Sequence, residues 1–226
     1  MTGLSPEYWQ IVVLSLQVST VAMLFVLPVS IVVGYLLARK RFTGWHFLNV
    51  LCHLPLVMPP VVTGYLLLTT FSPNAVIGGA LKQLGIGFAF NWWGAALAAG
   101  VMAFPLVMRP IRLAFELQDS LLVDSAKTLG ANRWQTFFSI SLPLALPGIL
   151  AGSVLGFAKA LGEFGATITF VSNIPGETQT LALAIYSFLQ SPQGDSTAIL
   201  LVTTGVAVSF LAILTSETLA RRMMKT

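Results

Sequence analysis

From Asp124 to Pro143 the chain reads DSAKTLGANRWQTFFSISLP. It is a polar, helix-forming run inside a sequence otherwise built to live in lipid. Such a run has to sit in water beside the membrane or against another protein, because charged side chains are costly in hydrocarbon. Around it, 56% of the 226 residues are hydrophobic and only 9% are charged, against roughly 25% in soluble domains. Mean hydropathy is +0.85. These values exclude a soluble fold and predict an all-α polytopic membrane protein. The apolar runs are long and continuous, which excludes the short alternating segments of a β-barrel.

Five spans are predicted, at residues 8–38, 47–71, 92–108, 147–172 and 197–218. They form a single transmembrane domain over 1–226 with no soluble appendage. The first is ~45 Å long as a helix, more than the ~30 Å hydrocarbon core, so it tilts or starts at the interface. It is expected to stay in the mature protein, since it is too long for a cleavable signal and no A-x-A-like site follows. Its Pro28 and Gly34 allow a kink. Arg39, Lys40 and Arg41 stop it.

The second span contains LPLVMPPVVTGY, with Pro55, Pro59, Pro60 and Gly64. Proline removes a backbone donor and clashes with the preceding turn, so this helix should break or distort. Irregular backbone at membrane depth is tolerated only where protein buries it or water lines it. Both a packing kink and a pathway-lining segment satisfy that rule. Two short helical stretches, at residues 75–84 and 181–189, are too short to span. The second is expected to lie at the interface. Trp92 and Trp93 form an interface belt, and Arg109 and Arg112 mark the opposite side.

Ten of the twelve Lys and Arg residues fall on one set of segments: Arg39, Lys40, Arg41, Arg109, Arg112, Lys127, Arg133, Arg221, Arg222 and Lys225. By the positive-inside rule the N-terminus is outside and both the polar insert and the C-terminus are cytoplasmic. The net charge of +4 is therefore an orientation signal and not a nucleic-acid patch. Cys52 is the only cysteine, which excludes a disulfide framework and a Cys-based metal centre.

The insert, about 116–146, reads as two short helices joined at a turn. Asp119 and Ser120 are good N-caps for the first. Leu121, Leu122, Ala126 and Leu129 give it an apolar face. Lys127 falls in its last turn, and Gly130 follows as the C′ residue. Asn132 caps the second helix, with Gln135 three residues later in a capping-box arrangement. Leu142-Pro143 ends it, and Pro147 opens the fourth span.

In the fourth span Gly148, Gly152, Gly156 and Ala160 recur every four residues, a face that permits close helix contact. Lys159 lies ~18 Å into it, with Glu163 one turn on, where the two can pair. They are either an ion pair that holds the bundle or part of a translocation path. Thr63, Thr69, Thr70, Ser153, Thr167 and Thr169 offer hydroxyls along such a path, or simply pack. An intramembrane enzyme would need a Ser–His dyad, paired aspartates or an acidic metal cluster. His46 and His53 have no G-x-S-G partner, and Glu163 is the only acid at depth. No G-x-x-x-x-G-K-[ST] loop is present. No catalytic residue and no metal ligand is predicted, and no cofactor within this chain.

One spacing goes further. Asp124-Ser125-Ala126, three residues, Gly130, nine residues, then Ile140-x-Leu142-Pro143 resembles the EAA loop of bacterial ABC importer permeases, although Asp124 stands where that pattern has Glu. Leu54 to Leu68, Phe104 to Glu116 and Ala158 to Tyr186 are similar to molybdate permease subunits, and more loosely to sulfate and tungstate ones. The likeness runs from about Ile11 to the end. It implies an ABC-importer permease fold in a bacterial inner membrane. It further implies a homodimer paired with two cytoplasmic ATPase subunits, which bind the ATP and Mg, and an external oxyanion-binding protein. Asp124, Ser125, Ala126, Gly130, Ile140, Leu142 and Pro143 would then contact the ATPase. Lys159, Glu163, Pro59, Pro60 and Thr63 would be candidates for the path. A self-powered transporter would have no use for the insert.

Overall fold

In the computed structural model, which describes residues 6–39, 42–191 and 194–223, every regular element is helical. Lys40, Arg41 and Lys225 lie outside the described residues. Helix α1 (Pro6–Arg39) runs unbroken through Pro28 and Gly34. Gly34 serves packing: a Cβ there would lie 3.3 Å from the backbone nitrogen of Arg112. Its partner is α5 (Trp92–Glu116), capped by the Asn91 side chain, which accepts from Gly94 N. Ala95, Ala98, Ala99 and Ala103 on α5 are buried. Their small side chains let neighbouring backbones approach closely.

Helix α5 extends two turns past Met108, where the sequence suggested a stop. Arg112 is accommodated inside it. Its Nε donates to Glu116 (2.7 Å), its Nη1 donates to Asn49 Oδ1, and its guanidinium lies 5.1 Å from the Trp45 ring centre.

The proline-rich second span is two helices, α2 (Trp45–Val57) and α3 (Pro60–Phe71), bent by 113° at Met58-Pro59. The adjacent prolines supply no amide to the carbonyls of Pro55 and Leu56, so the ladder fails there. The pair still joins opposite ends of the molecule. Trp45 Nε1 donates to Leu37 O at the basic end of α1 (3.0 Å). Phe71 packs edge-on against Phe88, just before α5 begins. The short α4 (Val76–Gln83) lies at that same end.

The polar insert is α6 (Ser120–Thr128) and α7 (Arg133–Thr136). Contrary to expectation, Leu142-Pro143 does not end the second helix, and Pro147 does not start a span. A π-helical turn, Phe137–Ser141, leads directly into α8 (Leu142–Leu161), so one helical run covers 133–161. Pro143 has no N–H for the Ser139 carbonyl, and the wider turn, in which Leu142 N–H reaches Phe137 O, absorbs the defect.

The fourth span is also broken. Helix α8 stops at Gly162, and α9 (Gly165–Val171) starts afresh. Helix α10 (Leu181–Leu189) packs against the bundle near the start of α1. Leu183 and Ala184 are fully buried, and Leu181 N–H donates to Ser15 Oγ of α1 (2.6 Å). Its apolar side chains pack with Tyr8, Ile11, Val12 and Leu201. Helix α11 (Asp195–Met223) completes the bundle. Among the described residues, four helical runs are long and apolar enough to cross a membrane, and the bent pair makes a fifth if it counts as one span.

Candidate functional site

The insert is shaped by its own caps. Asp119 Oδ1 accepts from Leu121 N (2.9 Å). At the other end of α6, Gly130 N–H donates to Lys127 O and Ala131 N–H to Ala126 O, both at 3.0 Å. This is the Schellman pattern, and it needs the left-handed conformation that Gly130 adopts at φ 88°. Asn132 and Gln135 form the expected capping box. Four of the predicted contact residues divide between core and surface. Ala126 is buried and closes the turn, while Asp124, Ser125 and Gly130 are exposed. Asp124 pairs with Lys127 (2.8 Å), both side chains more than half exposed, so the bond adds little stability.

Ile140, Leu142 and Pro143 fall in the π-turn and the first turn of α8. Leu142 packs into the core around Phe115, Ala145 and Ile149. Leu142 thus anchors the insert, while Pro143 is exposed, and neither ends the helix. The apolar side chains of the insert face outward instead: Leu121, Leu122, Leu129 (88% exposed), Trp134 (72%) and Phe138. Trp134 and Phe138 stack on one another. Exposed apolar patches of this kind mark protein–protein or membrane interaction sites.

The second cluster lies where the two broken spans meet. A Cβ on Gly165 would sit 2.7 Å from Pro60 Cβ, and one on Gly64 would sit 2.5 Å from Ala166 O. Helices α3 and α9 therefore start side by side and pack closely along their length. Lys159 Nζ lies 2.7 Å from Glu163 Oε2. Glu163 spans the break: its other oxygen, Oε1, accepts from Ala166 N (3.0 Å) and so caps α9. The two partners differ in access, since the Glu163 side chain is 1% exposed and that of Lys159 is 30% exposed. Lys159 stands in the last turn of α8, at the broken point and not in mid-helix.

Of the six candidate hydroxyls, five bond to backbone carbonyls one turn back: Thr69, Thr70, Ser153, Thr167 and Thr169. Thr63 alone is buried with no hydrogen-bond partner for its Oγ1. The small-residue face of α8 packs against α5 within the chain. A Cβ on Gly152 would lie 2.6 Å from Val107 O. His53 Nδ1 lies 2.7 Å from Asn49 O in its own helix, and Cys52 is buried beside it.

Sequence reasoning passes over the elbow between α5 and α6. Gln118 there bonds to Arg39 and to Ser141 O. Its only sequence signal is an amide placed one residue before the Asp119 cap.

Two broken spans packed against each other, and a helix-turn-helix with an outward apolar face at the basic end, define a class of protein. It is a multi-span helical membrane permease. The family model described as "Binding-protein-dependent transport system inner membrane component" matches residues 30–225, and the chain belongs to that family. It is 55% identical to the molybdenum transport system permease protein ModB of Escherichia coli (strain K12), over 96% of this chain and 94% of that protein. It is 31% identical to the sulfate transport system permease protein CysT of the same strain, over 96% of this chain and 81% of that protein. Its fold is shared with a chain in the crystal structure of a bacterial alginate ABC transporter in complex with its alginate pentasaccharide-bound periplasmic protein. That match has a TM-score of 0.78 at 21% identity, over 98% of this chain and 81% of that one. The protein is a multi-pass inner-membrane transport component.

Proposed function

We propose that the chain is the transmembrane subunit of an ABC importer that moves molybdate into the cytoplasm. It acts as a homodimer, receives the anion from an external oxyanion-binding protein, and is driven by two ATPase subunits that carry the ATP and Mg. The chain itself does no chemistry. The observation that carries the coupling half of this reading is the outward apolar face of the capped helix-turn-helix, with Leu129 and Trp134 standing clear of the fold. The substrate half rests on the much greater identity to a molybdenum permease than to a sulfate one. Sulfate and tungstate remain the rival cargoes, since all three are tetrahedral dianions.

Mechanically, the ATPase grips the insert and shifts it. Because 133–161 is one helical run, that shift reaches the Lys159–Glu163 break directly. There α9 abuts α3, and both half-helices can re-aim about Pro59-Pro60 and Gly162. Lys159, the accessible partner, offers a passing dianion a transient charge while Glu163 holds the lysine in place. Thr63 adds a free hydroxyl beside the α3 break. The path binds weakly, and the external protein supplies the affinity.

Co-purification tests the coupling reading. ATPase subunits expressed with the wild-type chain are expected to copurify with it. Leu129→Asp with Trp134→Asp is expected to abolish that association while the spans still insert. Equal recovery of the ATPase with the double variant would overturn it.

A further inference from the structure

We infer that Gln118 is the positioning residue that carries the movement of the helix-turn-helix into α1, so that the insert drives two spans and not only α8. The inference rests on the coupling role proposed above and adds to it a second route for the force.

Gln118 sits at the elbow between the end of α5 at Glu116 and the Asp119 cap of α6. Both faces of its amide are used. Arg39 Nη2 donates to Gln118 Oε1 (2.9 Å), and Gln118 Nε2 donates to the Ser141 carbonyl (2.7 Å). Arg39 is the last residue of α1, and Ser141 is the last residue of the π-helical turn that feeds α8. One side chain thus ties the basic ends of three long helices. Beneath it, Tyr35 of α1 makes edge contacts with Phe115 of α5 (5.2 Å) and Phe137 of the π-turn (4.9 Å). The same three elements therefore meet twice, through rings inside and through the amide outside.

The clasp is not saturated. Arg39 Nε and Ser141 Oγ are both buried without a hydrogen-bond partner. Buried polar groups are normally paired, so a joint that keeps two spare donors has a second arrangement open to it. The π-turn is the compliant part, since an i→i−5 ring can change register at low cost and such turns cluster at functional sites. When the insert moves, Ser141 moves with it. The Gln118 amide then pulls Arg39, and with it the whole of α1.

The two hydrogen bonds act in series, and this makes the role testable. Gln118→Glu has the same shape and strengthens the bond to Arg39, but it cannot donate to Ser141 O. Gln118→Leu removes both bonds. The full complex with ATPase subunits and binding protein would be reconstituted in liposomes. The readout is the ratio of anion taken up to ATP hydrolysed, with thermal stability and ATPase recovery measured on the same samples. Gln118→Glu is expected to keep stability and ATPase recovery at the wild-type level while the ratio falls about tenfold, the equivalent of one hydrogen bond. Gln118→Leu is expected to fall as far. An unchanged ratio in Gln118→Glu would overturn the inference. So would a fall in its ratio only in step with stability, which marks a packing role. Failure of the wild-type chain to recruit the ATPase would instead overturn the coupling reading on which it stands.

Discussion

The pair α1 and α5 and the pair α2/α3 and α8/α9 solve the same problem in opposite ways. All four must cross an apolar layer, and all four contain proline. Helices α1 and α5 run unbroken through Pro28, Pro105 and Pro110, each an isolated defect that the surrounding turns absorb. The other two are cut. Adjacent prolines cut one, since they remove two successive donors. A glycine followed by a carboxylate that caps a new start cuts the other. The cuts lie against each other at Pro60 and Gly165. The molecule is a stiff pair with a jointed pair laid on it, and proline content alone does not say which is which.

The sharpest way to break this contrast is at the joint. Lys159→Met leaves the Glu163 carboxylate buried and unpaired, and is expected to cost about 3–5 kcal/mol, read as thermal unfolding of the purified protein. Glu163→Gln keeps an acceptor for Ala166 and leaves Lys159, which reaches the surface. Its cost should be clearly smaller. Equal losses in the two variants would show that the burial asymmetry is irrelevant. Replacing both residues by apolar ones spares the charge but removes the α9 cap, so it should fall between them.

The packing of the jointed pair on the stiff one is tested by Gly152→Leu. The new side chain meets the Val107 backbone, and overpacking of this kind costs about 1–3 kcal/mol. It should lower stability and uptake together. Pro59→Ala with Pro60→Ala does the reverse. It restores two backbone donors, so stability should change by no more than about 1 kcal/mol while ATP-driven uptake is lost. Retained uptake in that variant would mean that the bend is only a packing feature. Gly130→Pro removes the amide bonded to Lys127 O and cannot adopt φ 88°, so its effect is a local deformation of the insert. The spans should still insert and coupling should disappear, measured as uptake per ATP.

Much of this architecture is legible in the amino-acid sequence. Asp119, Gly130 and the Asn132–Gln135 box each do what their spacing announces, because caps are local chemistry. The break at Pro59-Pro60 is legible for the same reason. The break after Leu161 is not: Lys159 and Glu163 fit an unbroken helix equally well, and only the Ala166 amide shows Glu163 to be a cap. Leu142-Pro143 looks like a helix end because proline usually is one, whereas a π-turn upstream absorbs it. The packing of helix α10 on α1 is not legible either, because the Ser15–Leu181 bond that fixes it joins residues far apart in the chain. The Gln118 clasp depends on three separate elements meeting, which no local pattern encodes.

The most direct test of import through a driven joint is uptake of labelled molybdate into liposomes holding the permease, its ATPase subunits and the binding protein. The expected result is accumulation that requires ATP, is competed by tungstate and little affected by sulfate, and vanishes in Gly130→Pro although that complex assembles. Accumulation without the ATPase, or a clear preference for sulfate, would contradict it.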